Sequence, residues 1–156
     1  MNIIALVIDF SRVLIFTKTA DVASLNRHHA ELEATPGYRV GEHFYLNIEL
    51  LEYLRGLSAY VPTYLFTSGG LHALPEFAPA LEGIFRDIIT TDEIGYGKTK
   101  PEAYLALAYR LSYTPSQILF IDDSPANIQA AKTAGFVAVQ YQSNAATIKL
   151  LDSARR

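Results

Sequence analysis

The stretch QILFIDDSPANIQAAKTAGFVAVQY, residues 117–141, carries the clearest structural pattern of the chain. Gln117–Ile121 is a short apolar run closed by two acidic residues, Asp122 and Asp123. Pro125 then stands where the first turn of a helix needs no N–H, and that helix stops at Gly135. Phe136–Tyr141 is a second apolar run. Short runs without polar alternation suit strands buried on both faces, so the unit predicts strand, helix and parallel strand.

The same grammar extends outward. Upstream, Pro101–Leu111 is a helix opened by proline, and Asp87–Thr90 is a strand leading into the loop Thr91–Gly97. A helical stretch is expected around Leu71–Leu81, after the strand Pro62–Thr67 and the turn Ser68-Gly69-Gly70. Leu46, Leu50, Leu54 and Leu57 recur at helical spacing while Glu49, Glu52 and Arg55 take the opposite face, which predicts an amphipathic helix over Asn47–Ser58. Ile3–Phe10 is an apolar opening strand, Val13–Thr17 a short apolar run, and Asp21–Glu33 a polar, helix-tolerant segment stopped by Thr35-Pro36-Gly37. Asn144–Asp152 closes the chain as a helix. Strands alternating with helices predict a three-layer α/β/α sandwich around a doubly wound, mainly parallel, Rossmann-like sheet of five strands. With no internal repeat and no long linker, residues 1–156 are expected to form a single domain.

Composition narrows the class. Half of the 156 residues are apolar, which excludes a disordered or low-complexity chain. Thirteen basic against sixteen acidic side chains leave a net charge of −3, and the closing Arg155-Arg156 is the one basic cluster, so no nucleic-acid footprint is expected. The absence of cysteine excludes disulfides, thiolate metal sites and a cysteine nucleophile. No apolar stretch approaches the roughly 20 residues of a membrane span, and the opening apolar run lacks a basic flank. A cytoplasmic protein is the expectation, with homo-oligomerisation left open.

In a doubly wound sheet ligands gather at the carboxyl ends of the strands. Asp9 ends the first strand, Thr67 and Ser68 the second, Lys100 follows the third, and Asp122 and Asp123 end the fourth. Clustered carboxylates repel one another unless a divalent cation lies between them, while a hydroxyl, a glycine turn and an ammonium suit a phosphate dianion. The set therefore points to a magnesium and phosphate pocket.

Those residues resemble the haloacid dehalogenase-like hydrolases, in their phosphoglycolate-phosphatase-like branch. The resemblance is carried by Val7-Ile8-Asp9-Phe10, Leu65-Phe66-Thr67-Ser68-Gly69, Lys100-Pro101-Glu102 and the stretch from Leu119 through Asn127. It implies a strand order of 3-2-1-4-5 and an aspartyl-phosphate formed on Asp9. Thr67, Ser68 and Gly69 would hold the phosphoryl group, and Lys100 would neutralise its charge. Asp9, Asp122, Asp123 and the carbonyl of Ser11 would ligate Mg²⁺. Substrates would be a phosphorylated small molecule or a phosphoprotein.

Two departures qualify that implication. Phosphatases of this family carry a second Asp two residues after the nucleophile as general acid and base, and here the position is Ser11, followed by Arg12 where the family prefers Gly. Such a group contributes about 10²–10⁴ in rate, so phosphate leaving groups that need no proton are favoured. Between Ser11 and Thr67, only about 25–30 residues remain for a cap once the predicted elements are subtracted, too few for a helical bundle. The cap is expected to be reduced or absent, with residues 18–44 as its remnant or a loop insertion. The alternative function is a catalytically inactive relative that keeps the pocket for binding or regulation. A dehalogenase acting on carbon would have no use for Asp122 and Asp123.

Other residues have ordinary expected roles. Lys98 is expected to be a solvated loop lysine, and His28, His29, His43 and His72 surface or loop residues, with no pattern of metal ligands among them. Phe44, Tyr45, Tyr53 and Tyr60 are candidates for an apolar patch near the reduced cap.

Overall fold

A computed structural model describes residues 3–154, and the Arg155-Arg156 pair lies outside them. In chain order the elements are β1 (Ala5–Ile8), β2 (Ile15–Thr17), α1 (Leu25–Glu33), α2 (Val40–His43), β3 (Phe44–Leu46), α3 (Ile48–Leu57), β4 (Thr63–Thr67), α4 (Ala78–Leu81), β5 (Asp87–Thr90), α5 (Thr91–Ile94), α6 (Pro101–Leu111), β6 (Ile118–Asp122), α7 (Pro125–Thr133), β7 (Val137–Gln140) and α8 (Asn144–Ala154). Five strands form one sheet in the order β5-β4-β1-β6-β7, every neighbouring pair parallel. This is the expected doubly wound, three-layer α/β arrangement with the expected strand order.

Alternation along β1 explains the two faces. Leu6 and Ile8 join a core with Leu50, Leu51, Leu54 and Leu57 of α3 and Leu151 of α8. Ala5 and Val7 face the opposite way, into a core with Ala103, Tyr104 and Leu107 of α6 and Ile128 of α7. Both faces of β1 are thus dry, which is why its sequence shows no polar alternation.

The elements also differ from the sequence reading. The apolar run Val13–Thr17 finds an antiparallel partner in β3, forming a separate two-stranded ribbon. The helix expected over Leu71–Leu81 is instead a 3₁₀ turn at Leu71–Ala73 and the single turn α4. Pro75 is the reason, because it forces Leu74 out of helical geometry to ψ 139°. The loop expected at Thr91–Gly97 begins with the short helix α5, ended by Gly95 in the left-handed region at φ 85°.

α1 and α2 lie within residues 25–43 between the two strands of the ribbon and pack through Leu25 and Val40, beside Phe44 of β3, onto the α3 side of the core. Among the described residues they form no separate cap domain. No helix among those residues is long and apolar enough to cross a membrane.

Candidate active site

Asp9 directly follows β1 and continues its ladder, with its backbone N–H donating to the carbonyl of Ile121 at 2.9 Å. β6 ends on Asp122, so the two carboxylates emerge side by side from adjacent parallel strands. Asp9, Asp122 and Asp123 bring carboxylate oxygens within 4.8 Å of one another. Asp123 lines a cavity of about 170 Å³ together with Asp9, Ser11, Arg12, Ser68 and Lys98.

The lysine at this centre is Lys98. Its Nζ donates to Asp9 and, at 3.3 Å, to Asp122 Oδ2, and the residue is only 6% exposed. The ammonium lies over the Phe66 ring at 5.2 Å and the Phe120 ring at 5.9 Å. The Tyr104 hydroxyl donates to the Lys98 carbonyl at 2.8 Å, while the Tyr104 ring packs edge-on against Phe66, Phe120 and Phe136. An aromatic floor therefore aims Lys98 inward.

Lys100, expected at this position, is exposed and serves as the N-cap of α6. Helix geometry accounts for this difference. Pro101 fixes the first helical turn, so the residue before it leaves at the helix end, and the turn closed by the Lys100 N–H on the Gly97 carbonyl points Lys98 back to the sheet. The clue available in sequence was the wall of aromatic residues, but its convergence depends on β4, α6 and β6 meeting.

Asp122 is fully buried and held from three sides. Its Oδ1 accepts from the Ser124 N–H at 2.8 Å, and its Oδ2 accepts from Asn127 Nδ2 at 3.1 Å as well as from Lys98. Ser124 also caps α7, its hydroxyl accepting from the Asn127 N–H. Asp123 is half-buried and anchored through its carbonyl, which accepts from Gln140 Nε2. Asn127 thus belongs to the site, although the sequence reading did not single it out.

Burial pushes the Asp9 carboxyl up to about 7; the Lys98 charge opposes that rise, and neighbouring Asp122 adds to it. Asp123 is likewise raised by burial and by Asp122, with the Arg12 charge acting in the other direction. Three carboxylates against one enclosed ammonium leave an excess of negative charge on hard oxygen donors, the chemistry that suits a small divalent cation such as Mg²⁺.

Thr67 ends β4 and is buried, while Ser68 is exposed and contributes to the cavity wall. Gly69 adopts φ 116°, a left-handed conformation that glycine accommodates. Ser11 lines the cavity, and Arg12, at φ 58°, sends its guanidinium to the carbonyls of Val22 and Ala23.

The histidines are not simple surface residues. His28 and His29 both pack against Phe44, with ring centroids 5.8 and 6.2 Å away, and His29 is within 2.8 Å of the Tyr38 hydroxyl. Phe44 is core rather than patch, and Tyr53 is partly buried with its hydroxyl donating to Asp152 at 2.7 Å. Tyr45 and Tyr60 are exposed. A larger groove of about 740 Å³ runs along the β5 edge past His72, Leu81, Phe85 and Ile88. It lacks the convergent carboxylates and lysine, so the smaller cavity is the candidate site.

A model of the haloacid dehalogenase-like hydrolase family matches residues 21–135, a span that contains Lys98, Asp122 and Asp123 and begins after Asp9 and Ser11. A phosphoglycolate phosphatase from Salmonella paratyphi A is 39% identical over 95 residues, covering 47% of this chain and 38% of its own length. An enolase-phosphatase E1 from a Bradyrhizobium species is 33% identical over 111 residues, covering 66% of this chain and 47% of its own. The chain thus spans less than half the length of these curated relatives. Among solved structures, a HAD-like family hydrolase from Porphyromonas gingivalis superposes with a TM-score of 0.72 at 20% identity, over 97% of this chain and 98% of its own. A HAD family enzyme from Bacteroides thetaiotaomicron, solved as a magnesium complex, gives 0.68 at 18% identity, over 92% and 96%. At these identities the structures bear on the fold.

Proposed function

The chain belongs to the haloacid dehalogenase-like hydrolases, and from that premise we propose that it is a Mg²⁺-dependent phosphohydrolase or phosphotransferase working through a phosphorylated Asp9. The observation that carries this reading is the Lys98 ammonium shared between Asp9 and Asp122 at the carboxyl ends of two adjacent parallel strands. A carboxylate nucleophile for phosphoryl transfer needs a cation beside it to reduce repulsion from the incoming phosphate, and Lys98 supplies one.

In the proposed reaction a carboxylate oxygen of Asp9 attacks phosphorus, and the bond from phosphorus to the leaving oxygen breaks with its electron pair on that oxygen. Water then attacks the phosphorus of the aspartyl-phosphate. The bond to Asp9 breaks, and the proton from water goes to a phosphate oxygen. Lys98 takes the role that the family resemblance gave to Lys100. Thr67, Ser68 and Gly69 would bind the phosphoryl oxygens. Asp9, Asp122, Asp123 and the Ser11 carbonyl would hold Mg²⁺, which when bound supplies positive charge against the phosphate.

Ser11 cannot exchange a proton at neutral pH as a carboxyl group does, so substrates whose leaving group departs as a stable anion are favoured, acyl phosphates above alkyl phosphates. The phosphoglycolate phosphatase relative acts on a small phosphorylated compound by its name, which supports a small molecule over a phosphoprotein. The test is hydrolysis of acetyl phosphate and p-nitrophenyl phosphate with and without Mg²⁺ by the wild type and Asp9→Asn. Turnover that requires both the metal and Asp9 is expected. Inert wild-type protein that still binds Mg²⁺ would replace this reading with a binding role.

A further inference from the structure

We propose that Arg12 and Asn26 form a clasp that fixes the 23–26 wall of the reactive cavity and thereby selects phosphate compounds carrying a small group; the inference rests on the phosphate reading of that cavity. Ala23, Ser24, Leu25 and Asn26 all line the cavity that holds Asp9, Lys98 and Asp123. They come from the turn before α1 and its first residues, a segment outside the main sheet, and side chains from two loops hold it there.

Two side chains do so from opposite sides. Arg12 sits just past Asp9 in the left-handed region at φ 58°, a conformation that costs any side chain bearing a Cβ. Its guanidinium donates to the carbonyl of Ala23 at 3.2 Å and to that of Val22, while its own N–H donates to the Ile15 carbonyl at 2.7 Å. The chain turns sharply at Asp21, also at φ 58°, to present those two carbonyls. On the other side, Asn26 Nδ2 donates to the Ser68 carbonyl at 2.6 Å, tying α1 to the loop after β4. Gly69 makes room for this contact, because a Cβ there would stand 2.5 Å from the Asn26 carboxamide. Leu25, 2% exposed, anchors the same segment in the core.

The loop after β1, the loop after β4 and the start of α1 are therefore locked around a cavity of about 170 Å³. A phosphate can occupy such a volume, whereas a bulky group attached to it meets a wall that the clasp prevents from retreating. Arg12 is thus a positioning residue. Its guanidinium is committed to backbone carbonyls and acts on the site through the wall.

The test uses methylphosphonate and phenylphosphonate, two non-hydrolysable probes that differ in the size of the attached group, titrated calorimetrically with Mg²⁺ into the wild type, Arg12→Ala and Asn26→Ala. The wild type should prefer methylphosphonate, and each variant should shift the affinity ratio toward phenylphosphonate by about fivefold or more. Hydrogen exchange of amides 23–26 should quicken by about tenfold in both variants while β1 and β6 stay protected. A merely structural contribution would weaken both phosphonates alike, and that result overturns the proposal, as does unchanged exchange at 23–26. If neither phosphonate binds the wild type, the phosphate reading of the cavity fails, and the selectivity role falls with it.

Discussion

Lys98 donates to Asp9 from a position enclosed by Phe66 and Phe120, whereas Lys100, two residues later, faces solvent. The two lysines, a buried cation paired with carboxylates and an exposed one, stand within a single turn of chain. Lys98→Ala should lower turnover of acetyl phosphate by at least about 10²-fold, while Lys100→Ala stays within about twofold of the wild type. Lys98→Ala should also cost roughly 3–5 kcal/mol of stability at pH 8 without metal, since it leaves buried carboxylates unpaired. A loss confined to Lys100→Ala would return the role to Lys100, and equal losses would deny Lys98 a distinct role.

The carboxylate cluster makes the chelated protein pay an electrostatic cost in its folded state. Mg²⁺ at 100 times its dissociation constant should stabilise the fold by about 2.7 kcal/mol. Asp9→Asn or Asp123→Asn should raise the Tm of the chelated protein at pH 8 and reduce the further gain from Mg²⁺. Thermal unfolding with and without chelator reads both effects, and a Tm that neither Mg²⁺ nor these substitutions move would speak against a cation site.

Ser11 lines the cavity beside Asp9 without the proton chemistry of a carboxyl group. Ser11→Asp should therefore raise turnover of an alkyl phosphate by about 10²-fold or more, and that of acetyl phosphate much less, because carboxylate leaves without a proton. Rates across a series of leaving groups measure this directly. The expected result is a steep dependence on leaving-group pKa in the wild type that flattens in the variant; equal stimulation of all substrates would contradict it.

His72 packs edge-on against Phe10, and its Nδ1 is buried without a hydrogen-bond partner among the described residues. Burial lowers its pKa below the ordinary 6.5, partly offset by a hydrogen bond involving the Gly69 backbone and by the charge of Glu93. The unfolded chain thus binds the proton more readily, so this group's contribution to stability is full above about pH 6.5 and is lost as the pH falls through the lowered folded value. His72→Phe should remove that part of the pH dependence between pH 7 and pH 5. Parallel Tm curves for the two proteins would show that His72 contributes none of it.

Local chemistry made much of the fold legible. Continuous apolar runs at 118–121 and over Ala5–Ile8 mark strands buried on both faces, and Pro101 and Pro125 mark helix starts that the structure places at those residues. The acidic residues at strand ends were legible for the same reason, since a parallel sheet carries the residue after each strand to one edge. The three-residue strand β3 was not, because so short a segment has no period of its own and becomes a strand only through pairing with β2. Pro75 was visible in the sequence, yet the leucines around it suggested a helix that the proline prevents.

The parallel sheet and the meeting of Asp9, Asp122 and Asp123 at its carboxyl edge could be read from the chain alone, because apolar runs alternating with helices force parallel crossovers that carry every strand end to one edge. Which of Lys98 and Lys100 meets the carboxylates, and the contacts of Asn26 with Ser68 and of Arg12 with Val22 and Ala23, came from the folded arrangement. Those choices depend on which surfaces meet across the fold. A lysine goes where an aromatic floor and two carboxylates already converge, and no spacing along the chain encodes that meeting.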